Sequence, residues 1–342
     1  MDPGRQHSHL LTGTALDTTI RECFGETEPV LAALQGERIN SSLVEIIQKR
    51  TEALQHLDDE MGSGDLLNTV SADVKLVANL LRNASYSEEI GQLLFRASAE
   101  LCHLAGWLAF DSNRHAAAQS YWLAGLRAAH TAGNRALGVV SLARLCDQAT
   151  WVGLPQDALQ LAQAAQSRSK GVLSDRDGAL LALFSAQAHA RTGDLQSHAK
   201  ALNQATELFD RGKTKVEGHA YWLDEAHVSC LVGRSFLVAG DPEQALRHLN
   251  LGLESYEGYP RDRAEYCSWL AVAYVRQRDA EQACATGDQA ISLLSDQVSS
   301  LRTMSYLRDL RRELKPYQQE PCVREFTEQA RELLGTGNTQ ES

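Results

Sequence analysis

The chain has 342 residues and a formal net charge of −11 at pH 7, with 33 Lys and Arg against 44 Asp and Glu. This balance argues against a general nucleic-acid binder, because phosphate contacts need clustered cations. A hydrophobic content of 43% supports a large core, while 24 Gly and 7 Pro are too few for a loop-rich β protein. Ala, Leu, Gln, Glu and Arg dominate, so the expectation is an all-α chain. The seven cysteines, at 23, 102, 146, 230, 267, 284 and 322, are odd in number and form no Cys-x-x-Cys pair. They suit small buried thiols in a reducing cytosol, and a cytoplasmic location is expected. Neither a signal peptide nor a run of about 18 apolar residues is evident, so no membrane span is expected.

In chain order, residues 1–24 read as a polar, flexible leader or linker. Residues 25–90 read as N-terminal helices packed on the repeats. Glu28 to Gln35 is a short apolar helix opening at Pro29. A second helix is capped by Asn40 or Ser41 and runs to about Met61, with Leu43, Ile46, Ile47, Leu54 and Leu57 as its stripe. Asp65 to Arg82 forms a third, behind Gly62-Ser63-Gly64.

Residues 91–298 carry a fivefold helical-hairpin pattern. The turns begin at Ser112, Gly153, Gly193, Gly240 and Arg278, and the last two share Asp-x-Glu-Gln-Ala. Seven residues ahead of each turn stands a small residue: Ala105, Cys146, Ala186, Gly233 and Ala271. On the second helix, Ala117, Ala158, His198, Ala245 and Ala283 recur, each followed seven residues later by Ala124, Ala165, Ala205, Gly252 and Ala290. Such residues let paired helices approach closely, and a lone hairpin cannot bury its apolar face, so the units must stack. A longer connection is expected over Gly212 to Leu223. Trp107, Phe110, Tyr121 and Trp122 read as the packing surface between the N-terminal helices and the second repeat. Residues 299–335 read as capping helices and 336–342 as a disordered tail.

This pattern resembles the tetratricopeptide repeat, although every spacing exceeds that family's period of 34. The resemblance implies a right-handed α-solenoid of tetratricopeptide-like hairpins. Longer blocks narrow it: LLTGTAL at Leu10 to Leu16, AELCHLAGWLAFD at Ala99 to Asp111, LAGLRAAHTAGNRALG at Leu123 to Gly138, WLDEAHVSCLVGRSFLVAGDPEQA at Trp222 to Ala245, RDRAEYCSWLAVAYV at Arg261 to Val275, and LRDLRRELKPYQQEPCVREF at Leu307 to Phe326. They resemble the C-terminal region of actinobacterial helix-turn-helix transcriptional regulators of the Xre type. In that family a DNA-reading domain precedes a LTGTAL-like linker. Here about nine residues precede it, too few for such a domain, so no direct DNA binding is expected from this chain alone. The resemblance implies a regulatory module for oligomerisation (a homodimer among the options), for contact with a protein or peptide partner, or for sensing a small effector.

No Walker loop, dinucleotide-binding glycine run, HExxH or Gly-x-Ser-x-Gly motif occurs, so no catalytic residue, metal site or cofactor is expected. In tetratricopeptide superhelices the first helices line the concave face. That register turns Asp147, Trp151, Gln187, Arg191, His227, Arg234, Glu265 and Arg276 inward as candidate ligand-binding residues. Their arginines could hold a carboxylate or acidic peptide, or simply join neighbouring repeats. Trp222 and Asp224 either shape the pocket or staple the long connection. Two other classes stay open. One is a DNA-binding regulator using a basic surface such as Arg308, Arg311, Arg312 and Lys315, although Asp309 and Glu313 interleave with it. The other is a solenoid enzyme using Asp147, His227 or Glu265, for which no paired acid–base spacing speaks.

Overall fold

The computed structural model describes residues 12–13, 41–64, 66–215, 217–296 and 298–336. The expected helix over 28–35, the leader apart from Thr12 and Gly13, and residues 337–342 of the tail lie outside them. The described residues form α1 (Ser41–Met61), α2 (Leu66–Asn83), α3 (Glu88–Asp111), α4 (His115–Thr131), α5 (Arg135–Trp151), α6 (Pro155–Ser169) and α7 (Asp175–Thr192). These continue into α8 (Leu195–Gly212), α9 (Glu225–Ala239), α10 (Pro242–Ser255), α11 (Pro260–Arg276), α12 (Ala280–Asp296), α13 (Leu301–Glu313) and α14 (Pro321–Thr336). Apart from one isolated parallel bridge between Gly62 and Ser299, no strand occurs among the described residues.

Local chemistry places the helix ends. Ser87, Asn134, Ser174, Asp194, Asp224, Asp241 and Ser300 each accept a backbone N–H three residues on, which satisfies a donor that the first turn leaves unpaired. Pro155, Pro242 and Pro260 open α6, α10 and α11, where a missing N–H costs nothing. Five hairpins, α3/α4 through α11/α12, stack into an α-solenoid of tetratricopeptide-like units. Their turns pass through left-handed backbone at Asn113, Gly153, Gly193, Gly240 and Arg278.

The first unit corrects the repeat register by one residue. Its left-handed residue is Asn113, so Asn113, Gly153 and Gly193 stand at equal intervals of 40. The close-approach positions become Gly106, Ala118 and Gly125 rather than Ala105, Ala117 and Ala124. Ala118 is fully buried and Ala124 is exposed. A Cβ on Gly106 would sit 2.4 Å from Trp122 Nε1, and one on Gly125 3.2 Å from Cys102 Cβ. Asparagine tolerates left-handed backbone, and the Asn113 amide donates to Leu301 O and Ser305 Oγ, both at 2.8 Å.

That contact belongs to a second feature: the solenoid closes on itself. Asp111, at the end of α3, is fully buried. It accepts from Ser63 Oγ and from Ser300 Oγ, each at 2.8 Å, and from Arg302 Nε at 3.3 Å. Gly62 allows this join because a Cβ there would lie 2.5 Å from Ser299 O, and its φ is +80°. Helix α1 packs on α3 and also reaches α11, while α13 touches both α11 and α3. The first and last units therefore meet across the concave face. From the leader, Gly13 donates its N–H to Asp157 Oδ1 at 2.8 Å. No described helix is long and apolar enough to cross a membrane.

Candidate functional site: an arginine-rich cavity inside the ring

Helices α3, α5, α7, α9 and α11 bury both faces, and polar residues they carry point into the ring. Trp107 on α3 stands at the centre. Three guanidinium carbons lie over its ring: Arg144 at 5.1 Å, Arg302 at 5.2 Å and Arg261 at 5.3 Å. Its Nε1 donates to Asp58 Oδ2 at 2.9 Å. A cation over an aromatic face gains up to about 2 kcal/mol when desolvated, so the indole offsets part of the cost of burying these charges.

Carboxylates offset more of it. Arg302 makes a two-point pair with Glu265 and a third contact with Asp111. Arg261 reaches Asp58 Oδ2 at 2.6 Å, Asp262 at 3.2 Å and Asp59 at 3.7 Å. Arg234 pairs with Asp147 at 3.1 Å and lies 5.0 Å over Trp269. Burial works against the charge on Arg261 and Arg302, yet their carboxylate neighbours hold both well above the usual arginine range.

Arg144 is different. It is 9% exposed, its Nε has no hydrogen-bond partner, and no carboxylate pairs with it among the described residues. Burial pulls its protonation constant down, and Asp147 does not make up the difference. Its guanidinium is flanked by Trp107, by Trp222 at 5.7 Å and by Phe184 at 5.8 Å. It faces a cavity of about 260 Å³ whose lining includes the exposed Glu52 and Gly218 at the mouth.

One wall comes from the 213–224 connection, which is held in place from α7. Arg176 donates to the backbone carbonyls of Gly212, Lys213, Tyr221 and Leu223. Asp177 Oδ1 accepts the N–H groups of His219 and Ala220 at 2.9 and 2.8 Å. Gly218 is required there, because a Cβ would lie 2.1 Å from Asp177 Oδ2 and its φ is +92°. The staple delivers His219 and Trp222 to the cavity, and it sets Tyr221 to donate to Asp59 on α1 at 2.9 Å. Trp222 thus lines the pocket, whereas Asp224 caps α9.

Of the eight sequence candidates, the structure brings Asp147, Arg234 and Glu265 to the cavity. Gln187 is fully buried on α7, and neither amide atom is hydrogen-bonded among the described residues. Trp151 packs edge-on against Tyr306 at 4.5 Å, and Arg191 is exposed at the end of α7. Arg276 pairs with Glu313 at 2.8 Å and caps Leu237 O. In the basic stretch of α13, Arg312 pairs with Asp309. Sequence reasoning misses Arg144, Trp107, Arg261, Arg302 and Asp58 as cavity residues. Arg144 carries a local signal, standing one turn before Asp147 on the same helix; the other partners meet only through ring closure. The buried thiols of Cys102 and Cys267 are pushed up to about 11, so neither supplies a thiolate near neutrality.

His227 sits beside this wall among Tyr256, Trp222 and Tyr266. Its Nδ1 lies 2.8 Å from Asp224 and its Nε2 3.4 Å from Asp262. Burial would lower its pKa, but the two carboxylates outweigh it and raise it to about 9. The imidazolium therefore stabilises the fold fully below about pH 6.5, the unfolded value, and the contribution fades as pH rises through about 9. It amounts to at most about 3 kcal/mol, less where water screens Asp224. His227→Gln is expected to lower the melting temperature most near pH 6 and least near pH 10; a difference that does not change with pH would contradict this pairing.

Fold and cavity together define an all-α solenoid of tetratricopeptide-like hairpins, closed into a ring around a charged interior pocket. No protein-family model matches the chain, and no curated protein matches it. A solved kinesin-light-chain repeat protein from Podosopora anserina, described as having nearly identical TPR-like repeats, aligns at 17% identity and a TM-score of 0.40. That alignment covers 59% of this chain and 96% of that one. A variant of the same protein with a single substitution aligns at 16% identity and a TM-score of 0.39, over 58% and 94% of the two chains.

Proposed function

We propose that this chain is a non-enzymatic regulatory module that binds a small effector inside its ring. The observation that carries the reading is Arg144, a buried cation that has no carboxylate partner among the described residues and lines the cavity. Among the described residues the concave face is crossed by contacts from α1 and α13, which favours a compact ligand over a long peptide there. At about 260 Å³ the pocket falls just below the roughly 300–1,000 Å³ of drug-sized ligand sites, which suits a compact molecule.

Coupling arises from the same geometry. Helix α1 contributes Thr51, Asp58 and Asp59 to the cavity wall and is latched to α11 through Arg261. A ligand that fills the pocket stabilises the latched state over any state in which α1 lifts away, in proportion to its differential affinity. The resemblance to the C-terminal region of Xre-type regulators supports a role in controlling transcription, with operator reading supplied elsewhere. The test is a thermal-shift screen of the purified chain with small metabolites in one arm and peptide pools in the other, together with a gel shift using its own upstream DNA. Stabilisation by small molecules that is lost when cavity residues are replaced is expected, with no gel shift by the chain alone. Stabilisation by peptides only, unaffected by cavity substitutions, would overturn the reading.

A further inference from the structure

We propose that the cavity takes a small monocarboxylate with a flat apolar body, and that Arg144 receives the carboxylate. This rests on the small-effector reading and names the chemical class of the effector.

The charge pattern selects the ligand's head. Three of the four arginines in the cavity wall already pair with carboxylates: Arg234 with Asp147, Arg261 with Asp58 and Asp262, and Arg302 with Asp111 and Glu265. Only Arg144 has no such partner among the described residues. Its five N–H donors lie in a planar fork that matches a carboxylate through two parallel bonds. Burying such a group unpaired is unfavourable, and three aromatic faces offset that only in part. A carboxylate would supply the missing partner. A phosphate dianion would bring a second negative charge towards a wall that already holds Asp58, Asp59, Asp147, Asp262 and Glu265.

The rest of the wall selects the body. Leu104, Leu231, Tyr266 and Trp269 line the same cavity and offer apolar and aromatic surface. His103 also lines it. Burial holds its imidazole neutral, so it adds no positive charge to the wall beside Arg144.

The experiment titrates the full chain with indole-3-acetate and benzoate, with their neutral amides, and with inorganic phosphate, by calorimetry and tryptophan fluorescence. The acids are expected to bind about tenfold to a hundredfold more tightly than the amides, the span of one charge-assisted pair, and phosphate not at all at the same concentrations. Arg144→Met is expected to remove the preference for acids while melting no lower than wild type, because it deletes an unpaired buried charge. Arg144→Lys keeps the charge but loses the two-point geometry, and is expected to weaken acid binding about tenfold. Binding of amides as tight as that of acids would overturn the carboxylate assignment and leave the effector reading standing. Acid preference unchanged in both Arg144 variants, phosphate binding as tight as the acids, or no binding of either acid at millimolar concentration would also overturn it.

Discussion

Arg302→Leu is expected to destabilise the protein by about 3–5 kcal/mol, measured by urea denaturation. The guanidinium is buried between Glu265 and Asp111, and its removal strands two carboxylates with almost no access to water. Its loss also weakens the join between the first and last units, because Asp111 receives Ser63 and Ser300 at the same point. Burial alone pushes the Glu265 carboxyl up, and Arg302 is the chief influence holding it down. In the variant Glu265 takes up a proton on folding, so the penalty is expected to shrink towards acid pH. The double variant Arg302→Leu, Glu265→Leu is expected to recover a large part of the loss, since replacing both partners removes the stranded charge. A cost below about 1 kcal/mol would show that the pair is solvated as a surface ion pair is.

Arg261→Leu is expected to cost a similar amount, about 3–5 kcal/mol, but to act on one segment. Arg261 is the clasp of α1: its Nη1 holds both the Asp58 carboxylate and the Asp58 carbonyl, at 2.6 and 3.1 Å. Without it, Asp58 and Asp262 are buried with one cation fewer, while Tyr221 still bonds Asp59 across the mouth. Amide exchange over Ser41–Met61 is expected to accelerate far more than exchange in α7 or α9, whose pairing does not involve Arg261. Equal acceleration in all three helices would show global loss of stability rather than release of a latch.

The repeat units are legible in the sequence because their chemistry is local. Gly153, Gly193 and Gly240 mark left-handed turns, and Asp-x-Glu-Gln-Ala marks two helix starts. The pattern places the first unit one residue early because Asn113 holds the left-handed position that glycine holds in the next three. The cavity is partly legible. Asp147, Arg234 and Glu265 emerge from the inward register of the first helices, and the same register holds Arg144. Trp107 reads as packing, and it does pack, but against guanidinium groups as well as hydrocarbon. Ring closure leaves no trace in the pattern. Asp58 and Arg261 are 203 residues apart, Asp111 and Arg302 191, and no periodicity links residues so distant. The closure turns a groove into a pocket, and this is what the proposed small-effector reading rests on.

The most direct test of the central idea, that the inside of the ring is the binding site, is hydrogen exchange with and without saturating indole-3-acetate. Slowed exchange in α1, in α5 around Arg144 and in the 217–224 connection is the predicted result, absent in Arg144→Met. Slowed exchange confined to the outer helices α8 and α10, with α1 and α5 unchanged, would contradict it.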